Sequence, residues 1–157
     1  KLANRKEDNK GFSLVELIIV IAIMAILVGI VGTQVLPYIN KSKEAKDFQI
    51  INSYGTAATT AYSSNAEKVT DVTTIVVYGT NTDAAGKPAA TLETEIKDLV
   101  GYANSSNLVA KMGSKKGKKI AAVKIVIDPK TDKTITTQAY EDTACTKPVF
   151  DQVVTQL

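Results

Sequence analysis

From Leu17 through Asn40 the chain runs for 24 residues without a formal charge. As a helix rising about 1.5 Å per residue this is about 36 Å, and roughly 20 apolar residues suffice to cross a bilayer. The run predicts a helix able to span a membrane. The residue just before it is an acid, Glu16. A carboxylate costs roughly 2.5–3.5 kcal/mol at the centre of a span and less near the interface, so its position calls for a physical reason. Lys1, Arg5, Lys6 and Lys10 precede the run and would hold that end in the cytoplasm under the positive-inside rule. A cleaved secretory signal fits poorly, because its apolar stretch is roughly 7–15 residues and ends at a small-residue site. Here the run is longer and has no clear Ala-x-Ala ending before Lys41. An uncleaved anchor explains the length but has no use for Glu16, unless the acid simply snorkels to headgroup water.

The junction Gly11-Phe12-Ser13-Leu14-Val15-Glu16-Leu17, followed by Ile18-Ile19-Val20-Ile21-Ala22-Ile23, resembles the prepilin signature of type IV pilins. That signature has a glycine before the cut, a phenylalanine after it, a glutamate four residues on, and then aliphatics. The resemblance is close over Lys10 to Leu27 and architectural beyond. Pseudopilins of type II secretion and pilins of DNA-uptake machines share this N-terminus. The resemblance implies cleavage between Gly11 and Phe12 by a prepilin peptidase, N-methylation of the new amine at Phe12, and no catalytic residue in this chain. It further implies a homo-oligomeric filament, an assembly platform with cytosolic ATPases, a membrane-held precursor and then a surface pilus. Adhesion, motility or aggregation would follow from the fibre. The physical chemistry agrees: Gly11 has no side chain to bar entry to a narrow protease site, although a helix-start glycine would look the same.

Cleavage after Gly11 would remove four basic and two acidic residues and take the formal charge from +3 to +1. It would also create an α-amino cation of ordinary pKa about 7.7–8.0 at Phe12, one helical turn from Glu16. If subunits stack with their apolar helices inward, that amine can pair with Glu16 of a neighbour, and each charge offsets the other's desolvation. Glu16 is thus expected to set axial register during assembly.

Gly29, Gly32, Thr33 and Pro37 interrupt the aliphatic run. Glycine costs a helix interior about 1 kcal/mol relative to alanine and proline about 3, so a kink or local unwinding is expected at Gly29, Gly32 and Pro37. Close packing of small residues between helices is the alternative. In the resembling family this region can melt on entry into the fibre; Pro37 lies somewhat later than is common there. Polarity changes at Lys41, Lys43, Glu44, Lys46 and Asp47, read as a solvated face, with the bilayer exit near Tyr38. Beyond it, Phe48, Ile51, Gly55, Ala58 and Tyr62 recur at helical spacing and predict a continuing helix to about Ser64 whose apolar face packs on a sheet.

The rest of the chain is rich in threonine, valine and alanine and reads as a small strand-rich head. Strands are expected at Val72–Tyr78, Ile120–Asp128, Thr134–Tyr140 and Val149–Val154, the middle two as a hairpin around Asp128-Pro129-Lys130-Thr131-Asp132-Lys133. Asn81 to Pro88 reads as a loop. A short helix is expected after it, capped by Thr91, with Glu93 and Glu95 in its first turn and Ile96, Leu99 and Val100 inward. The expected fold class is α+β: a long N-terminal helix, with a protruding hydrophobic half and an amphipathic half, packed on a small antiparallel sheet head, which agrees with the type IV pilin fold that the resemblance implies. The expected divisions are 1–11 leader, 12–40 membrane and filament-core helix, 41–64 amphipathic continuation and 65–157 head.

With no histidine and one cysteine, His-based triads and the usual zinc sets are excluded, and no carboxylates pair on a rigid element. A non-enzyme without cofactor or metal is expected. Cys145 can form no intrachain disulfide, unlike many pilins, whose C-terminal loop is so closed, and is expected to be a small packed residue. The one concentration of charge is Lys111-Met112-Gly113-Ser114-Lys115-Lys116-Gly117-Lys118-Lys119. Its two glycines and lack of an aromatic favour a flexible, solvated loop. A patch for DNA or anionic cell-surface polymers at Lys115, Lys116, Lys118 and Lys119 is the sharper alternative. Two glycosylation-like tripeptides, at Asn40 and Asn104, are given no role.

Overall fold

The computed structural model describes residues Gly11, 13–81 and 88–157. The chain divides between Asn40 and Lys41 into two units. Among the described residues, helix α1 (Leu14–Ser64) supplies the regular structure of the first and opens the second. Its isoleucine- and valine-rich first part is a poor helix by propensity in water. In lipid, where no solvent can satisfy a backbone N–H or C=O, helix is the form a single segment must take.

In the second unit α1 buries Asp47, Ile51, Tyr54, Gly55, Ala57, Ala58 and Ala61. Ile51, Gly55 and Ala58 lie on the expected face, while Phe48 and Tyr62 are only half-buried at its flanks. Small residues bring the helix close to the sheet. A Cβ on Gly55 would stand 3.3 Å from the Thr137 hydroxyl and 4.0 Å from that of Thr155. Phe48 meets Phe150 edge to face, with ring centroids 6.2 Å apart.

The sheet is antiparallel, in the order β1 (Thr73–Val77), β2 (Ala122–Asp128), β3 (Thr134–Tyr140), β4 (Pro148–Gln156). Ile75 faces Ile125, and Asp128 faces Thr134 at the end of the β2–β3 hairpin. Asp128 closes that turn by accepting from the N–H groups of Lys130 and Thr131 at 3.1 and 2.9 Å. β4 is bulged: Thr137 and Ala139 on β3 face Val153 and Val149. Phe150 sits there at φ 65°, its carbonyl accepting from the Gln138 amide at 2.7 Å.

Between β1 and β2 run α2 (Pro88–Val100), α3 (Ser105–Lys111) and a 3₁₀ turn at Gly117–Lys119. Three expectations are corrected here. α2 begins at Pro88, whose missing N–H costs nothing in a first turn, so Thr91 lies inside the helix and caps nothing. Ala89, Leu92 and Ile96 face the core, while Leu99 is exposed. Glu93 and Glu95 tie the helix down rather than greet its dipole: Glu93 accepts from Asn81 at 2.5 Å and pairs with Lys97 at 2.8 Å, and Glu95 accepts from Asn65 at 2.8 Å. α3 lay outside the expectation altogether. Its Asn104 cap, which accepts from Asn107 N at 2.9 Å, was the available signal. The expected loop at Asn81–Pro88 falls mainly on residues 82–87, outside the described residues.

Candidate functional site

The start of α1 is built by its own side chains. The Ser13 hydroxyl accepts from Glu16 N at 3.3 Å, and the Glu16 carboxylate accepts from Ser13 N at 3.4 Å. The first helical bond, Leu17 N to Ser13 O, is 3.1 Å. This is a capping box, with Ser13 as the cap and Glu16 at the third helical position. Its Ser-x-x-Glu spacing was legible in the sequence but not part of the expectation. Glu16 thus has a local use: it satisfies an orphan donor and sits at the positive end of the helix dipole. Gly11, at φ +88° and exposed, adopts a conformation other residues rarely enter. Residues 1–10 and Phe12 lie outside the described residues, and with them the leader and the methylated position.

Every residue from Leu14 to Asn40 is exposed, the large apolar side chains included. The helix is long and apolar enough to cross a membrane. Bare aliphatic surface on this scale is not stable in water and must be covered by lipid or protein. The unwinding expected at Gly29, Gly32 and Pro37 is not seen: α1 is helical throughout with Pro37 inside it. Pro37 removes a single backbone donor, and the helical runs on both sides carry the segment through. The Thr33 hydroxyl adds a bond to Ile30 O at 2.9 Å. Nothing lies within 4 Å of a Cβ built on Gly29 or Gly32.

The charged turn after Asn40 departs from the expected solvated face at one position. Asp47 is 1% exposed. Its carboxylate accepts from Gly113 N at 2.9 Å and Ser114 N at 2.7 Å, and also from the Ser114 hydroxyl. That hydroxyl in turn accepts from Gly117 N at 3.0 Å. Successive backbone N–H groups facing one anion form a nest, and a Cβ on Gly117 would collide with the carboxylate. The basic stretch is therefore corrected from a flexible loop to a fastened one. Met112, Ser114 and Gly117 are buried, and Lys115, Lys116, Lys118 and Lys119 stand exposed around them. Gly113 and Gly117 were the sequence trace of this nest.

Cys145 is half-buried rather than packed away, at φ 57° in the turn before β4. Burial raises its thiol pKa. The turn is closed by Asp142, which accepts from the Thr146 hydroxyl at 2.5 Å and from the Thr146 and Lys147 N–H groups, each at 3.0 Å. The hydroxyl first, then the backbone donors, hold the Asp142 carboxyl below the usual range. No grouping of three or more metal-binding side chains occurs among the described residues.

Residues 8–32 match the family described as the prokaryotic N-terminal methylation motif, so the chain carries the prepilin and pseudopilin signature. No curated protein and no solved structure matches the chain. The motif implies processing by a prepilin peptidase and assembly into pilus-like polymers. Together with the apolar helix it fits a membrane-anchored precursor. The long helix and four-stranded antiparallel sheet give an α+β, pilin-like layout.

Proposed function

We propose that this chain is the structural subunit of a type IV pilus: inserted as a prepilin, cut after Gly11, methylated at Phe12, and polymerised through its N-terminal helix into a surface fibre. The observation that carries this reading is the prepilin motif lying on a helix whose side chains from Leu14 to Asn40 are all uncovered. Lipid covers that surface in the precursor, and helices of neighbouring subunits cover it in the fibre. Uncharged aliphatic surface gives adhesion without register, because one apolar ridge packs on another nearly as well one turn up or down. Glu16 supplies register, since a carboxylate buried among aliphatic helices that offer it no hydrogen-bond donors needs a cation to offset its desolvation, and cleavage supplies that cation on Phe12. The role is mechanical rather than catalytic, and adhesion, motility or aggregation are services of the fibre.

Mass spectrometry of the native N-terminus together with electron microscopy of fibres labelled on this protein tests the reading. A chain beginning at methylated Phe12 in long surface fibres supports a pilin. The same processed terminus with no long fibres shifts the reading to a pseudopilin of a secretion or DNA-uptake machine. An intact leader on an unpolymerised chain leaves a membrane-anchored binding protein.

A further inference from the structure

We propose that the lysine loop held by Asp47 is a docking surface for anionic phospholipid headgroups. The inference rests on the reading that the apolar part of α1 lies in a bilayer before assembly.

Lysines 115, 116, 118 and 119 repel one another, and a loop left to itself would spread them into solvent. The fold does the reverse. A buried carboxylate on α1 takes up the N–H groups of Gly113 and Ser114 and the Ser114 hydroxyl, and so fastens the loop to the helix. Fastening brings further positive charge alongside: a Cβ on Gly113 would lie 3.7 Å from Cγ of Lys43, with Lys41 just before it on the same helix. Glu44 is the acid interspersed there, half-buried, and the Asp47 carboxylate is occupied by backbone donors. The outward surface of this arrangement is ammonium.

Closeness along the chain to the apolar run decides the partner. Lys41 is the first charged residue after the apolar run, and Asp47 lies six residues on, about 9 Å of helix. The headgroup layer is roughly 5–8 Å deep on each side of the hydrocarbon. Lys41 therefore adjoins that layer through the chain itself, and the loop fastened at Asp47 is tied within about 9 Å of Lys41 along the helix, a span that lysine side chains can bridge to lipid phosphates. Residues 111–119 contain no aromatic side chain to stack on a base, the feature that a single-stranded nucleic-acid groove uses.

The test uses the full chain inserted into vesicles of phosphatidylcholine alone or mixed with phosphatidylglycerol, reading amide hydrogen exchange at residues 115–119. Anionic vesicles should slow exchange at least about fivefold, since one lysine–headgroup contact alone is worth roughly that factor. High salt, or the combined substitution Lys115→Gln, Lys116→Gln, Lys118→Gln and Lys119→Gln, should abolish the difference. Equal exchange in both vesicle types overturns the proposal. Flotation with both types shows in the same sample that the anchored reading survives; flotation with neither removes that reading as well. Protection by duplex DNA on phosphatidylcholine vesicles, with none from phosphatidylglycerol, overturns it in favour of a nucleic-acid surface.

Discussion

Tyr54 on α1 and Tyr78, just past the end of β1, are hydrogen-bonded with 2.6 Å between their hydroxyl oxygens. The Tyr78 hydroxyl donates to Tyr102 O at 2.6 Å, so Tyr54 must be the donor to Tyr78, and one chain of hydrogen bonds ties α1, β1 and the α2–α3 connection together. Burial first, then this bond, pushes the Tyr54 pKa far above its ordinary value of 10.0. Burial likewise raises Tyr78. The folded state therefore keeps protons that the unfolded chain releases. This stabilisation is whole below pH about 10 and is lost as pH rises above it, at about 1.4 kcal/mol per pH unit for Tyr54. Tyr54→Phe should cost about 1 kcal/mol at neutral pH and flatten the alkaline limb. Chemical denaturation in detergent between pH 8 and about 12 measures both.

Asp47 and Ser114 set the position of the lysine loop. Asp47→Ala strands the buried Ser114 hydroxyl and two backbone donors, an expected loss of about 3 kcal/mol. Asp47→Asn should lose less, because one carbonyl oxygen remains to accept. Gly117→Ala should weaken the same clamp by steric means, as its methyl group would collide with the Asp47 carboxylate and press on Cβ of Met112 at 3.0 Å. Thermal melts followed by circular dichroism rank the three. Equal stability in all would mean that the loop is held by something other than the carboxylate.

Thr137 should be better as valine. It is fully buried beneath α1, and its hydroxyl has no hydrogen-bond partner. An unpaired buried hydroxyl costs about 1–3 kcal/mol by mutational measures. Valine keeps the branched shape, so Thr137→Val is expected to gain about 1 kcal/mol. A loss on denaturant titration would show that the hydroxyl finds a partner in solution.

What could be read in advance follows from how local each signal is. The β2–β3 hairpin was legible, β3 to the residue and β2 except that it starts at Ala122 rather than Ile120, because alternation and an Asp-Pro turn cluster are contained in one short segment. So was the end of α1 near Ser64, where the apolar spacing fades. Asp47 was misread because its neighbours Lys43, Glu44 and Lys46 give a charged face, and its partners lie 66 and 67 residues away. No periodicity connects such distant groups. Glu93 and Glu95 were misread for the same reason, since side chains bonded across elements look in sequence like favourable helix charges. The capping box at Ser13 and Glu16 was entirely local and simply competed with a more conspicuous signal at the same residues.

Cys145 should react slowly with alkylating agents. Its thiol is half-buried and its pKa is raised by that burial, and only the thiolate attacks. Iodoacetamide labelling at neutral pH is expected to run below the rate of an unfolded control and to rise only in the alkaline range. A rate equal to that of the unfolded chain would mean the turn closed by Asp142 opens freely. Cys145→Gly should be tolerated, because glycine takes φ 57° without strain.

Glu16 has two possible uses, and one pair of substitutions separates them. A capping box accepts glutamine as readily as glutamate at its third position, so Glu16→Gln keeps the bond to Ser13 N and removes the charge. Ser13→Ala keeps the charge and removes the cap, at about 1 kcal/mol of helix-start stability. If the carboxylate pairs with the Phe12 amine of a neighbour, Glu16→Gln should abolish long fibres while leaving membrane insertion intact, and Ser13→Ala should only reduce their number. If capping is its whole role, the order reverses: glutamine assembles normally and alanine at position 13 is the worse variant. Counting fibres by electron microscopy, normalised to membrane-inserted subunit, decides between the two, and normal assembly of Glu16→Gln would remove charge pairing from the account of register.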